Sequence, residues 1–258
     1  MAKIHPTALI DPAAELHESV EVGAYSIIGA GVKIGEGSKV GPHCVIEGAT
    51  TIGRNNRFWQ FSSIGGDPQD KKYAGEPTTL VIGDGNTVRE YVTMNRGTTQ
   101  DGGVTRVGSD NWIMAYVHIA HDCQLGDHII MANETQLAGH VHVGDWVILG
   151  GKSGVHQFCT IGAHAMTGMF SALAKDLPPY VTCSGYPAEP VGVNVEGLKR
   201  RGFTPEQIEN IRQAYKIIYK SGHTIAAART ELEKLAATQP ELQLYLDFFA
   251  VASRGIMR

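Results

Sequence analysis

What the chain lacks narrows its class. Neither sign of charge dominates: 22 Lys and Arg stand against 26 Asp and Glu, for a net charge of −4. That balance argues against a nucleic-acid protein, because a phosphate backbone asks for a strongly basic surface. No apolar run approaches the ~20 residues of a transmembrane helix. The opening residues, MAKIHPTALIDP, lack a basic start and an unbroken apolar stretch. A secretory signal is therefore not expected, and the cytoplasm is the expected compartment. Cysteine is scarce. Cys44, Cys123, Cys159 and Cys183 form no CxxC pair, which argues against a cysteine metal site and reads as buried packing thiols. Aromatic residues make up only 7% of the chain while glycine occurs 31 times, a balance that suits a flat all-β core.

What is present is a period of six. Ile4, Ile10, Leu16, Val22, Ile28, Ile34, Val40, Ile46, Ile52, Phe58 and Ile64 are all apolar. At 43% hydrophobic content, eleven such hits in one frame arise by chance about once in ten thousand. A second block runs from Val107 through Ile119, Leu137 and Val155 to Ile161 in the same period. A helix repeats every 3.6 residues and a strand every 2, so a sustained period of six fits neither. It fits a hexapeptide parallel β-helix, in which short strands stack coil upon coil. Four residues after each apolar position stands a mostly small one, such as Ala8, Ser26, Cys44 and Ser62, suited to an inward site at a tight corner. One residue after the apolar position Gly23, Gly29, Gly35, Gly41 and Gly53 recur, and glycine permits turn conformations that other residues resist.

Two polar, glycine-rich insertions break the repeat, at about residues 65–81 and 97–106. In solenoids such insertions cluster on a functional face. The repeat fades after Thr167, and the β-helix is expected to span residues 1–190. Residues 191–258 then read as a helical domain of three elements that caps the open sheet end. Thr204-Pro205-Glu206-Gln207 is a capping-box start, followed by the stripe Ile208, Ile211, Tyr215 and Ile218. Thr224 and Pro240 open two further helices.

Seven of the eleven histidines lie between His118 and His164. If each lap of the coil takes three hexads, residues one lap apart stack at ~4.8 Å, the strand spacing of a sheet. Ile119, Leu137 and Val155 form such a stack. On the corner after them come His121, then Gly139 and His140, then His156 and Gln157, with His118 just before. Both insertions leave the chain near this column. Imidazole is suited to take a proton near neutral pH, and a glycine on the next coil offers an unobstructed N–H. A base and an N–H donor ~5 Å apart are what acyl transfer needs: one removes a hydroxyl proton, the other holds the oxyanion.

Five segments in order carry a resemblance: QDKKYAGEPT (69–78), HIAHDCQLGDH (118–128), LAGHVHVGDW (137–146), GVHQFCTIG (154–162) and NVEGLKRRGF (194–203). Together they resemble the acyl-carrier-protein-dependent UDP-N-acetylglucosamine O-acyltransferases, the enzymes that begin lipid A synthesis. The likeness covers the full length, including both insertions and the tail. It implies an all-β left-handed parallel β-helix with a C-terminal α-helical domain, and a homotrimer with sites between subunits. The hand comes from the resemblance, since it opposes the usual right-handed crossover. The implied reaction moves an (R)-3-hydroxyacyl group from acyl carrier protein to the 3-hydroxyl of UDP-N-acetylglucosamine. The carrier's phosphopantetheine thioester is a co-substrate, and no metal or other cofactor is implied.

By the same resemblance His121 would be the general base and the Gly139 N–H the oxyanion donor. Asp70, Lys72, His118, His140, His156 and Gln157 would hold the sugar, its N-acetyl group, the acyl chain or phosphates. Asn194, Glu196, Arg200 and Arg201 would contact the nucleotide or the carrier arm. Lys71, Lys199 and the two arginines could dock an acidic carrier protein. Asp122 would face the substrate or orient His121, and direct contact with His121 needs the corner turn to bring them together. Met169 would close the far end of the acyl groove and limit chain length. Two alternatives stand beside this reading. One is the sister N-acyltransferase of lipid A synthesis. The other is a γ-type zinc carbonic anhydrase, with His118, His121 and His140 as ligands.

Overall fold

The computed structural model describes residues 2–258. Each hexad forms one short strand whose first residue faces out and whose second faces in, as in Lys33–Ile34 and Lys39–Val40. Strands on the same side stack in parallel register one lap apart: Ile119 beside Leu137, Leu137 beside Val155, Val155 beside Leu173. Among the described residues the coils build three sheets of 11, 9 and 8 strands. We call the sheet through Val22, Val40 and Phe58 the first, that through Ile28, Ile46 and Ile119 the second, and that through Ile34, Ile52 and Leu125 the third. The inward residues form one continuous buried column. Burying each such side chain contributes about 1.5–3 kcal/mol, so stability accumulates lap by lap.

From Val22 onward most corners use the same turn. The third residue after the inward apolar position takes the left-handed conformation, as at Tyr25 (φ 58°), His43 (φ 56°), Asp122 (φ 61°) and His140 (φ 62°). The recurring glycines one place after the apolar residue serve another purpose than the one read from sequence. Neither Gly23 nor Gly41 has a positive φ. A Cβ on Gly23 would lie 2.7 Å from the Gly41 carbonyl carbon, and one on Gly41 would lie 2.8 Å from the Phe58 oxygen. Glycine stands there because successive coils touch, backbone on backbone.

The small inward slot behaves differently at one corner. Asn56, Asn86 and Asn111 fill it as a buried ladder. Asn86 donates its amide to Asn56 Oδ1 at 3.0 Å and to the Gly108 oxygen at 2.9 Å, and its own Oδ1 accepts from Asn111 N. Each polar atom buried there has a partner, which removes the penalty of burying it. All four cysteines are buried without a disulfide. Burial pushes the Cys123 thiol up to about 12 and the Cys159 thiol to about 11, as expected of packing groups.

Both insertions leave from the corner between the second and third sheets. The first joins Ser63–Gly66 to Thr79–Ile82, and the second joins Thr93–Asn95 to Val104–Val107. Past the last coil, Glu189–Val193 pairs antiparallel with Val181–Ser184 and leads into helices. These are α1 (Val195–Arg200), α2 (Pro205–Tyr219), α3 (Ile225–Ala236) and α4 (Gln243–Val251). The capping box of α2 forms as read: Thr204 N–H donates to Gln207 Oε1 at 2.9 Å and Gln207 N–H to Thr204 Oγ1 at 3.2 Å. The short α1 has no counterpart among the three expected helices, because six residues are too few to show a helical period. After α4 the chain returns to the coil end. Met257 is 3% exposed in the β-helix core, and the buried Asp176 carboxylate accepts from Arg254 N and Thr160 N, both at 2.7 Å.

Candidate active site

The corner turn brings His121 and Asp122 together. In the left-handed conformation Asp122 folds back, and its Oδ2 lies 2.8 Å from His121 Nδ1. The Asp122 side chain is fully buried. Its Oδ1 accepts from Thr98 N and its Oδ2 from Thr98 Oγ1, both at 2.7 Å, while its own N–H donates to Thr105 Oγ1 at 2.8 Å. A carboxylate so enclosed has no face left for a substrate. Asp122 therefore faces the His121 ring and not the open surface, where the sequence reading also allows a substrate contact. With Nδ1 held by the carboxylate, Nε2 is the free ring nitrogen.

That nitrogen lies against Gly139 on the next coil. A Cβ at position 139 would come 2.7 Å from Nε2 and 2.5 Å from Cε1 of His121, so only glycine leaves the ring its place. Ala120 N and Ala138 N donate to carbonyls of the following coil, but among the described residues Gly139 N donates to none. A free ring nitrogen and an unengaged N–H thus meet at the same spot. His140 packs edge-on to His121 with ring centroids 5.1 Å apart and stacks on Phe158 at 4.4 Å. Its Nδ1 is 2.7 Å from Asp101 Oδ2, and its Nε2 is 3.8 Å from Asp122 Oδ2.

His118 faces out from the second sheet with Nδ1 2.7 Å from Thr93 Oγ1. Burial, and then the neighbouring His121, lower its pKa. A groove of about 690 Å³ begins at His118 and runs over Leu137, Val155, His156 and Leu173 to Tyr186. It is lined mostly by apolar groups. A larger groove of about 810 Å³ lies on the first sheet, where Glu21 pairs with Lys3 and Lys39; it holds no histidine–carboxylate pair. His156 and Gln157 sit one coil beyond Gly139, and Arg254 of the returning tail reaches within 3.4 Å of His156 Nδ1. Asp70 and Lys72 lie in the first insertion, where Asp70 Oδ1 accepts from Lys72 N at 2.9 Å. Arg96 of the second insertion ties the two insertions together through Asp67 and the Tyr73 hydroxyl.

Not every expected residue reaches this corner. Asn194, Glu196, Arg200 and Arg201 lie at the opposite edge of the third sheet. There Arg201 packs over Trp146 at 5.5 Å and lies 3.2 Å from His164 Nδ1. Asn194 is 6% exposed and fully used: its Oδ1 caps α1 through Gly197 N, and its amide donates to the His164 oxygen. Glu196 pairs with Lys199 at 2.8 Å, and Arg200 is exposed. Met169 is 62% exposed on the corner before Ala172–Leu173, outside the groove lining. The zinc alternative asks for His118, His121 and His140 together. The structure gathers His121, Asp122 and His140 within 4.8 Å and leaves His118 on Thr93. Both Asp122 oxygens there already accept from Thr98.

Thr98, Asp101, Thr105 and Arg254 also reach this corner, with no signal in the hexad pattern. They come from an insertion, its edge and the tail, where no repeat predicts a neighbour.

Hexad coils with an oriented histidine facing a free backbone N–H define a hexapeptide acyltransferase. Residues 31–66 and 105–139 match the bacterial transferase hexapeptide profile, and residues 176–257 match the profile described as UDP N-acetylglucosamine O-acyltransferase, domain 2. An acyl-[acyl-carrier-protein]–UDP-N-acetylglucosamine O-acyltransferase of Herminiimonas arsenicoxydans is 60% identical, and one of Thiobacillus denitrificans 58%, each over the whole of both chains. Among solved structures, LpxA from Acinetobacter baumannii superposes with a TM-score of 0.97 at 48% identity, covering 99% of each chain. The chain belongs to the acyl-[acyl-carrier-protein]–UDP-N-acetylglucosamine O-acyltransferases. Its fold is the left-handed parallel β-helix with a C-terminal helical region. The carbonic anhydrase and N-acyltransferase alternatives are set aside by this membership.

Proposed function

We propose that His121 is the general base of the acyl transfer and Gly139 its oxyanion donor. The chain is an acyltransferase that moves the acyl group of acyl carrier protein onto UDP-N-acetylglucosamine, the first step of lipid A synthesis. His121 Nε2 takes the proton of the sugar 3-hydroxyl as its oxygen attacks the carbonyl of the (R)-3-hydroxyacyl thioester. Gly139 N–H donates to the developing oxyanion. Collapse of the tetrahedral intermediate restores the carbonyl and releases the carrier's thiolate, which recovers the proton from His121. The buried Asp122 keeps Nδ1 occupied throughout. The observation that carries this reading is the His121 ring held between Asp122 and the unengaged N–H of Gly139.

The groove leading from His118 over Leu137 and Val155 suits an acyl chain; Met169, exposed on the corner just before Ala172 and outside this lining, would limit chain length from beside the groove. Asp70, Lys72, His118, His140, His156 and Gln157 hold the sugar, its N-acetyl group, the acyl chain or the phosphates. Glu196, Arg200 and Arg201, on a segment anchored by Asn194, sit at the far edge of the third sheet. They serve a neighbouring site in a homotrimer, where they grip the nucleotide or the carrier arm. The carrier arm supplies the thioester, and no metal takes part. Among the described residues no helix is long and apolar enough to cross a membrane, and we place the enzyme in the cytoplasm.

The test is to incubate the protein with UDP-N-acetylglucosamine and a series of (R)-3-hydroxyacyl carrier proteins and follow product by mass. The 3-O-acyl product is expected from the native chain, with turnover lower by ~10²-fold or more in His121→Ala. Near-native turnover in that variant would remove His121 from the mechanism.

A further inference from the structure

The second insertion does more than border the site. Its base closes around the Asp122 carboxylate. Thr98, 2% exposed, spends both its N–H and its hydroxyl on the two Asp122 oxygens. Gly97 packs so closely that a Cβ there would lie 2.8 Å from Asp122 Oδ1 and 2.6 Å from the Gly103 carbonyl carbon. Gly103 N in turn donates to the Thr98 oxygen at 2.9 Å, closing the loop on itself. Between them a short helical turn, Thr99–Asp101, carries Asp101 to His140 Nδ1 at 2.7 Å. The His140 side chain is 10% exposed and packed between Phe158 and His121, while the Asp101 side chain is 51% exposed.

We infer that this insertion is a two-point clamp on the active-site histidines, with Thr98 and Asp101 as positioning residues: Thr98 sets His121 through Asp122, and Asp101 sets His140 directly. Asp101 accepts the Nδ1 proton of His140 and so turns Nε2 toward Asp122 and the His121 ring. A carboxylate on one nitrogen fixes both the tautomer and the ring plane. The inference rests on the reading of His140 as a substrate contact, because Asp101 touches no reacting atom and acts only through that ring.

The experiment is a double-mutant cycle on the full-length enzyme, with kcat and KM for UDP-N-acetylglucosamine measured for Asp101→Ala, Asp101→Asn, His140→Ala and the Asp101→Ala/His140→Ala pair. Asp101→Ala is expected to lower kcat/KM by roughly tenfold, as misplacing a site group does. Asp101→Asn keeps an acceptor oxygen and is expected to recover activity to within about threefold of native. The pair is expected to be no worse than His140→Ala alone, because the two changes remove one shared effect. A loss from Asp101→Ala that multiplies fully with that of His140→Ala overturns the inference. So does an asparagine variant no better than alanine. An unimpaired His140→Ala instead contradicts the reading of the site on which the inference rests.

Discussion

All three corners of the prism carry a histidine at the same hexad position, His43 at one, His140 at the next, and His128 and His164 at the third; only His140 stands beside the His121–Asp122 pair. At the corner between the first and second sheets, His43 stacks between Tyr25 and Phe61 at 5.2 Å on each side, and the stack continues through Tyr91 to Tyr116. At the corner between the second and third sheets, His140 occupies the same left-handed position and also stacks on a phenylalanine. The backbone turn is common to both. The second corner differs in having carboxylates beside its rings, a glycine in place of a side chain at 139, and two insertions that shelter them. The repeat supplies identical positions; what enters from outside the repeat gives one of them its carboxylate partner Asp101 and the Thr98 bonds to Asp122.

The largest effect that would break this comparison is expected from Asp122→Asn. Losing the buried charge leaves the His121 ring free to adopt the wrong tautomer, and kcat is expected to fall by ~10²-fold or more. A variant with native kcat would make the carboxylate an ornament of the turn. A smaller change sharpens the groove. Met169→Gly is expected to shift preference toward longer acyl chains by several-fold, and an unaltered chain-length profile would discard Met169 as the limit.

A third test concerns the opposite edge of the third sheet. Burial, and then the Arg201 guanidinium, hold the His164 pKa down at about 4. The unfolded chain takes up this proton near pH 6.5 while the folded chain resists it. Stability from His164 is thus present above about pH 6.5 and drains away as pH falls toward 4. Denaturant midpoints at pH 7 and pH 5 should therefore differ more for the native protein than for His164→Gln; equal differences would assign the acid sensitivity elsewhere. The smallest effect is expected at His43→Ala, with turnover within about twofold of native and a cost of about 1 kcal/mol for the lost stack.

The prism was legible because its inward residues recur without exception through Ile64 and again from Val107. Counting in laps of three hexads also sets His121 beside Gly139. Two kinds of feature escaped. The glycines after the apolar positions looked like turn residues, because one sequence cannot distinguish a positive φ from a tight approach between coils. Thr98, Asp101 and Arg254 carried no signal at all. An insertion or a returning tail meets the coil through three-dimensional closure, and no period relates Asp101 to His140. The Asp122–His121 contact lay between these cases, since neighbours on a strand diverge and only the left-handed corner turns them together.

The juxtaposition of coils is tested most directly by Gly139→Ala. Gly139 has no positive φ, and a Cβ there enters the space of the His121 ring. Turnover is expected to fall by ~10²-fold in Gly139→Ala with folding intact. Native turnover in Gly139→Ala would contradict the central claim, because the His121 ring and the Gly139 N–H could not then be working across that gap.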